Sequence, residues 1–139
     1  MNSVRSAKSA RGGFTLIELS VVIFILIALL SMGFGLSKSI DKWKKGKEAS
    51  ETLRSIYTAQ RLYLADHPTT PLNTLTYAML TPYIPNGTGT MPSTRSMEGA
   101  ALSANIRVSP PVWVTGANGT GTTYDPSGNN SDSLWDVGQ

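Results

Sequence analysis

The spacing of apolar and polar positions changes character twice along the chain, and each change predicts a different kind of structure. Residues 14–36 are almost continuously apolar, with Glu18 the single charged side chain among them. At a helical rise of about 1.5 Å per residue, such a run is long enough to cross a hydrocarbon core of about 30 Å. Residues 37–66 keep the helical period but make it one-sided. Leu53, Ile56, Tyr57, Gln60, Tyr63 and Leu64 recur at spacings of three and four and predict one buried face, with Ile40 and Trp43 earlier on the same rod. Asp41 with Lys45, Lys44 with Glu48, and Lys47 with Glu51 stand four apart and can support the exposed side. Pro68 ends the pattern, so residues 14–66 are predicted as one long helix. Gly33, Gly35 and Gly46 interrupt it. Interior glycines cost about 1 kcal/mol each against alanine, which predicts local softness; close packing of small residues is the other reading of Gly33 and Gly35.

Beyond Pro68 the period is lost. Leu72, Leu75, Tyr77, Met79 and Leu80 predict a short helix ending near Pro82. Asn86-Gly87 and Asn118-Gly119 are strong turn signals within a five-residue recurrence too short to be an architectural repeat. Candidate strands are residues 105–109, 112–116, 122–125 and 133–137, with Pro110-Pro111 separating the first two and the second Asn-Gly turn joining the next two as a hairpin. The expected architecture is α+β, a small antiparallel sheet lying on the amphipathic half of the long helix. The organisation follows as residues 1–13, an apolar half-helix 14–36, an amphipathic half-helix 37–66 and a small globular region 67–139.

Composition narrows this further. With 139 residues and one segment long enough for a membrane, the soluble core must be small. The net charge of +3 is carried by Arg5, Lys8 and Arg11, ahead of the apolar run; the remainder is formally neutral. That weakens a nucleic-acid reading, which needs clustered excess positive charge. Lys38, Lys42, Lys44, Lys45 and Lys47 are the exception and read as a solvated face flanking a membrane, touching anionic headgroups and neighbouring subunits. Cysteine is absent, so no disulfide or thiolate metal site can form.

Arg11-Gly12-Gly13-Phe14-Thr15-Leu16-Ile17-Glu18-Leu19-Ser20 resembles the prepilin signal of type IV pilins and type II secretion pseudopilins. The resemblance implies a pilin-like fold, a leader of residues 1–13 removed by a prepilin peptidase between Gly13 and Phe14, N-methylation of Phe14 by the same class of enzyme, and Glu18 as the fifth residue of the mature chain. It also implies a bacterial inner-membrane protein with a single pass, a cytoplasmic N-terminus and a periplasmic C-terminal domain, which an assembly platform polymerises with identical or related subunits. The basic residues on both sides of the span do not set that orientation by themselves. A secretory signal peptide has a shorter apolar core and a small-x-small cleavage site, for which Ser31-Met32-Gly33 is poor. A plain anchor explains the length but not the acid, because a carboxylate in lipid costs about 2.5–3.5 kcal/mol on insertion scales. In the family a helix breaker stands where this chain has Gly35. Many type IV pilins close their C-terminal region with a disulfide, and its lack here together with the short soluble region favours a pseudopilin. The alternative is a minor pilin whose lysine cluster or C-terminal loop captures DNA or a secreted substrate.

Chemistry beyond assembly finds little in the sequence. His67 is the only histidine and stands at a helix end; no nucleophile elbow, phosphate loop or paired carboxylates occur, so no enzyme is expected and no cofactor is required. Asp125, Asn129, Asp132 and Asp136 form the one oxygen-rich cluster. A flexible loop of such residues can supply the hard oxygen ligands of Ca²⁺, and major pseudopilins bind calcium in a C-terminal loop. The spacing does not reproduce an EF-hand, and the same residues are ordinary turn formers, so both readings stay open.

Overall fold

The computed structural model describes residues 13, 15–85 and 89–137. It is α+β: one helix, α1, spans Leu16–Asp66, and three short antiparallel strands follow. The chain forms two compact units, Met1–Lys38 and Ser39–Gln139.

In the first unit every described residue is exposed, including the large apolar side chains Leu16, Ile17, Phe24, Leu30 and Phe34. Its helix is long and apolar enough to cross a membrane. Hydroxyls within this stretch do not add unpaired polar groups, because each bonds back to its own helix: Ser20 Oγ donates to the Leu16 carbonyl at 2.8 Å, and Ser31 Oγ to that of Ile27 at 2.8 Å.

In the second unit Leu53, Ile56, Gln60 and Tyr63 are buried as their spacing predicts, and Gly46, Ala49, Ser50 and Ala59 complete the face. Ile40 and Trp43 do not belong to it: they are 51% and 55% exposed. The stripe therefore begins at Gly46, where the C-terminal segment first covers the helix. Trp135 lies against this glycine, and a Cβ there would come within 3.2 Å of the indole Nε1. Gly46 is thus a packing position, and α1 runs through it without a break. Two of the lysines expected to pair along the helix have other company, Lys45 Nζ donating to the Met97 carbonyl at 3.1 Å and Lys47 lying over the Trp43 ring.

After Pro68, a 3₁₀ turn at Leu72–Thr74, the short helix α2 at Tyr77–Leu80 and a second 3₁₀ turn at Thr81–Tyr83 replace the single short helix expected. They bury Leu75, Leu80 and Ile84. The sheet has the order β1-β2-β3, with β1 at Thr94–Arg95, β2 at Ala101–Asn105 and β3 at Val112–Val114, all antiparallel. Thr94 faces Leu102, and Ala104 faces Trp113. Leu102, Ala104 and Trp113 point inward to meet Ala49, Leu53 and Ile56, and the Trp113 indole donates to the Ala49 carbonyl at 3.3 Å.

The strand expected at residues 105–109 lies one segment earlier, at Ala101–Asn105. Its Ala-Leu-Ser-Ala-Asn sequence has little strand preference of its own; pairing on both sides and burial of alternate residues impose the extended form. From Asn105 the chain turns, with Asn105 Oδ1 accepting from the Arg107 amide at 3.0 Å. Gln60 Nε2 then holds the carbonyls of Ile106 and Val108 at 2.8 and 2.9 Å. The hairpin after β3 forms as expected in outline, with one bridge between Val114 and Thr123 in place of a strand at 122–125. Asn118 and Gly119 take positive φ of 55° and 74°, and a side chain at Gly119 would collide with the Ala104 carbonyl. Residues 133–137 form no strand; bends deliver Trp135 into the core, 2% exposed. The other Asn-Gly turn, Asn86-Gly87, lies outside the described residues.

Candidate functional site

The first turn of α1 carries Glu18, the residue that the sequence marks for assembly. Gly13 is exposed and outside the helix; Phe14 and the residues up to Gly12 lie outside the described residues. Thr15 immediately precedes the helix, and its Oγ1 accepts from the Glu18 amide at 3.3 Å. A Thr capping the amide three residues on, with Glu at that position, is the sequence arrangement of a capping box. The geometry gives Glu18 a local reason to stand in the first turn, since a carboxylate there also complements the positive end of the helix dipole. Thr15 is the residue whose role the sequence reading missed, although its Thr-x-x-Glu spacing carried the signal. Glu18 is exposed, and among the described residues no cation meets its carboxylate.

The oxygen-rich loop uses its side chains locally. Asp125 Oδ1 accepts from the Ser127 amide at 3.0 Å and its hydroxyl at 2.7 Å. Asn129 Oδ1 repeats the arrangement with Ser131, at 3.2 and 2.8 Å, and Asp132 Oδ1 accepts from the Leu134 amide at 3.1 Å. These are three successive Asx turns, which compensate for the lack of strand pairing in this segment. Asp136 is half-buried beside Trp135 in sequence. Among the described residues no group of three or more acidic or histidine side chains is placed to hold a metal ion.

His67 stacks on Tyr63 with ring centroids 4.4 Å apart, and its Nδ1 lies 3.2 Å from the Tyr63 carbonyl, which can only accept. Tyr83 meets Tyr63 edge-on and donates to Asp66 at 2.9 Å. This aromatic cluster closes the C-terminal end of α1.

The lysine cluster faces a second polar group. The Tyr124 hydroxyl accepts from the Met97 amide at 2.9 Å and donates to Glu98 Oε2 at 3.1 Å. Burial pushes the Tyr124 hydroxyl above its ordinary pKa. The Glu98 carboxyl is held below the usual carboxylate range chiefly by its own backbone amide, then by the Ser96 and Tyr124 hydroxyls and the charge of Lys42. Lys45 is the one member of the cluster tied to this turn, through the Met97 carbonyl, while Lys42, Lys44 and Lys47 remain exposed.

Comparison with known proteins gives no matching family model, no matching curated protein and no matching solved structure.

Proposed function

We propose that this chain is a pilin-like structural subunit, a pseudopilin of a type II secretion pseudopilus in preference to a type IV pilus subunit, cut by a prepilin peptidase and polymerised through α1. One observation supports the reading: Glu18 stands in the first turn of a helix, shortly after Gly13-Phe14 in the sequence, and the first part of that helix is apolar and exposed while its later part belongs to a folded domain. A helix that only stabilised the domain would not need residues 16–36 to be apolar on every side.

The physical sequence of events follows from these parts. Cutting after Gly13 removes Arg5, Lys8 and Arg11 and creates a charged amine on Phe14; methylation keeps that charge. The amine of an incoming or neighbouring subunit is the natural partner for the Glu18 carboxylate, which is costly to leave unpaired in hydrocarbon. Leu16, Ile17, Leu19 and Val22 then pack between helices. Moving from lipid to protein they gain close contact rather than hydrophobic transfer energy, so the ion pair sets register and the apolar side chains supply cohesion.

Two measurements test this. Intact mass of membrane-extracted protein should give a chain beginning at Phe14 with a methylated amine; an uncut Met1 or a start at Phe34 sinks the assignment. Glu18→Gln and Glu18→Val should both insert and be cut, yet fail to enter sheared or pelleted filaments. Normal filament yield from Glu18→Val would remove the register role and leave Glu18 as a helix-capping residue.

A further inference from the structure

Ile40 and Trp43 are large apolar side chains at the start of the second unit that the domain leaves uncovered, about half exposed each. Residues 37–48 hold Lys38, Lys42, Lys44, Lys45 and Lys47 against Asp41 and Glu48. The Lys47 ammonium lies 5.5 Å from the centroid of the Trp43 ring, reaching back along the helix toward its N-terminal end. Ile40, Trp43, Lys44 and Lys47 are spaced by three and four, so they share one side of α1. That side presents an aliphatic group, an indole with its N–H, and two ammonium groups.

We infer that Ile40, Trp43, Lys44 and Lys47 form a docking face for the anionic phospholipid headgroups of the bilayer leaflet from which α1 emerges. The inference rests on the reading of residues 14–36 as a membrane span, and needs nothing from filament assembly. Trp43 is seven helical steps beyond Leu36, a rise of about 10 Å, and helical side chains lean toward the N-terminus. That is the depth of a headgroup layer, where tryptophan rings settle and lysines extend to phosphates. Charge complementarity singles out this occupant. A nucleic acid would satisfy the lysines but leave Ile40 and the indole in water, and a second copy of the same face would set lysines against lysines.

The structure supplies the probe. Trp113 and Trp135 are 0% and 2% exposed, so of the three tryptophans only Trp43 is open to an aqueous quencher. The full chain is reconstituted into phosphatidylcholine vesicles and into equimolar phosphatidylcholine and phosphatidylglycerol vesicles, and acrylamide quenching of its emission is compared. In the anionic vesicles quenching should fall severalfold, raised salt should restore it, and Trp43→Phe should abolish the difference. Lys44→Gln with Lys47→Gln should still float with the vesicles but show no dependence on lipid charge. A chain that floats while Trp43 stays equally quenchable in both vesicles overturns the docking face and leaves the span intact. A chain that does not float overturns the span and the face together. Protection by duplex DNA or by raised protein density, indifferent to lipid charge, reassigns the face and overturns the inference.

Discussion

Substituting Gly46 separates a packing glycine from a flexible one. Glycine inside a helix costs about 1 kcal/mol relative to alanine, so Gly46→Ala regains about that much from the backbone alone. Against this, the new Cβ meets Trp135 Nε1 at 3.2 Å and both Trp135 Cε2 and Leu134 Cβ at 3.4 Å. Residues 134–136 are bends without ladder pairing, so they can withdraw by the few tenths of an ångström required. The two effects nearly offset, and Gly46→Ala should lie within about 1 kcal/mol of the parent. Gly46→Leu has no such route, because its branch needs the space of the indole. Trp135 would have to leave a site where it is 2% exposed and edge-on to Tyr124 at 5.2 Å. Losing that burial costs about 3–5 kcal/mol, the range for deleting a buried tryptophan. For a domain of this size each kcal/mol moves the midpoint by about 4–8 °C, so the loss should be about 12 °C or more. Thermal melting of the full chain in detergent, followed by tryptophan near-ultraviolet circular dichroism, reads the change. Trp135→Ala should lose a similar amount, and the double variant little more than either, since both remove one interaction. A parental midpoint for Gly46→Leu, or fully additive losses, would show that Trp135 does not pack on Gly46.

Leu53→Ala should destabilise the same chain by about 2–5 kcal/mol, because Leu53 is fully buried between the helix and the sheet; an unchanged melt would mean that α1 does not cover the sheet. Gln60→Leu keeps the volume but removes the donor shared by the Ile106 and Val108 carbonyls, at a cost of about 1–3 kcal/mol for the buried bond to Ile106, measurable as a lower denaturation midpoint. Burial raises the folded pKa of Tyr77, whose hydroxyl donates to the Ala104 carbonyl at 2.6 Å, so its contribution is intact below the unfolded value near 10 and is lost as pH rises through the raised folded value. Melting temperature should therefore hold up to about pH 9 and fall above about pH 10, with Tyr77→Phe less stable at neutral pH but less steeply pH-dependent. The Asx turns of residues 125–134 predict identical melts with chelator and with added Ca²⁺; a rise with Ca²⁺ but not Mg²⁺ would show that these oxygens leave their turns for a cation, an effect of about 2.7 kcal/mol at a hundredfold excess over the dissociation constant.

Features that depend on local composition and period are legible before folding is considered. An almost continuously apolar run of this length satisfies its backbone in lipid as a helix, and the three-and-four spacing from Leu53 to Tyr63 names a face whatever it packs against. The Asn118-Gly119 turn was legible for the same reason, since its positive φ values select those residues. Features set by a distant partner emerge only in the folded chain. Ala101–Asn105 becomes a strand because Thr94–Arg95 and Val112–Val114 flank it, not because its residues prefer extension. Gly46 is a seat for Trp135, a residue far along the chain, and no spacing rule reaches that distance. Ile40 and Trp43 are apolar and earlier on the same helix yet stay exposed, because repeated steps of three residues fall short of a full turn and carry them round the helix away from the buried face.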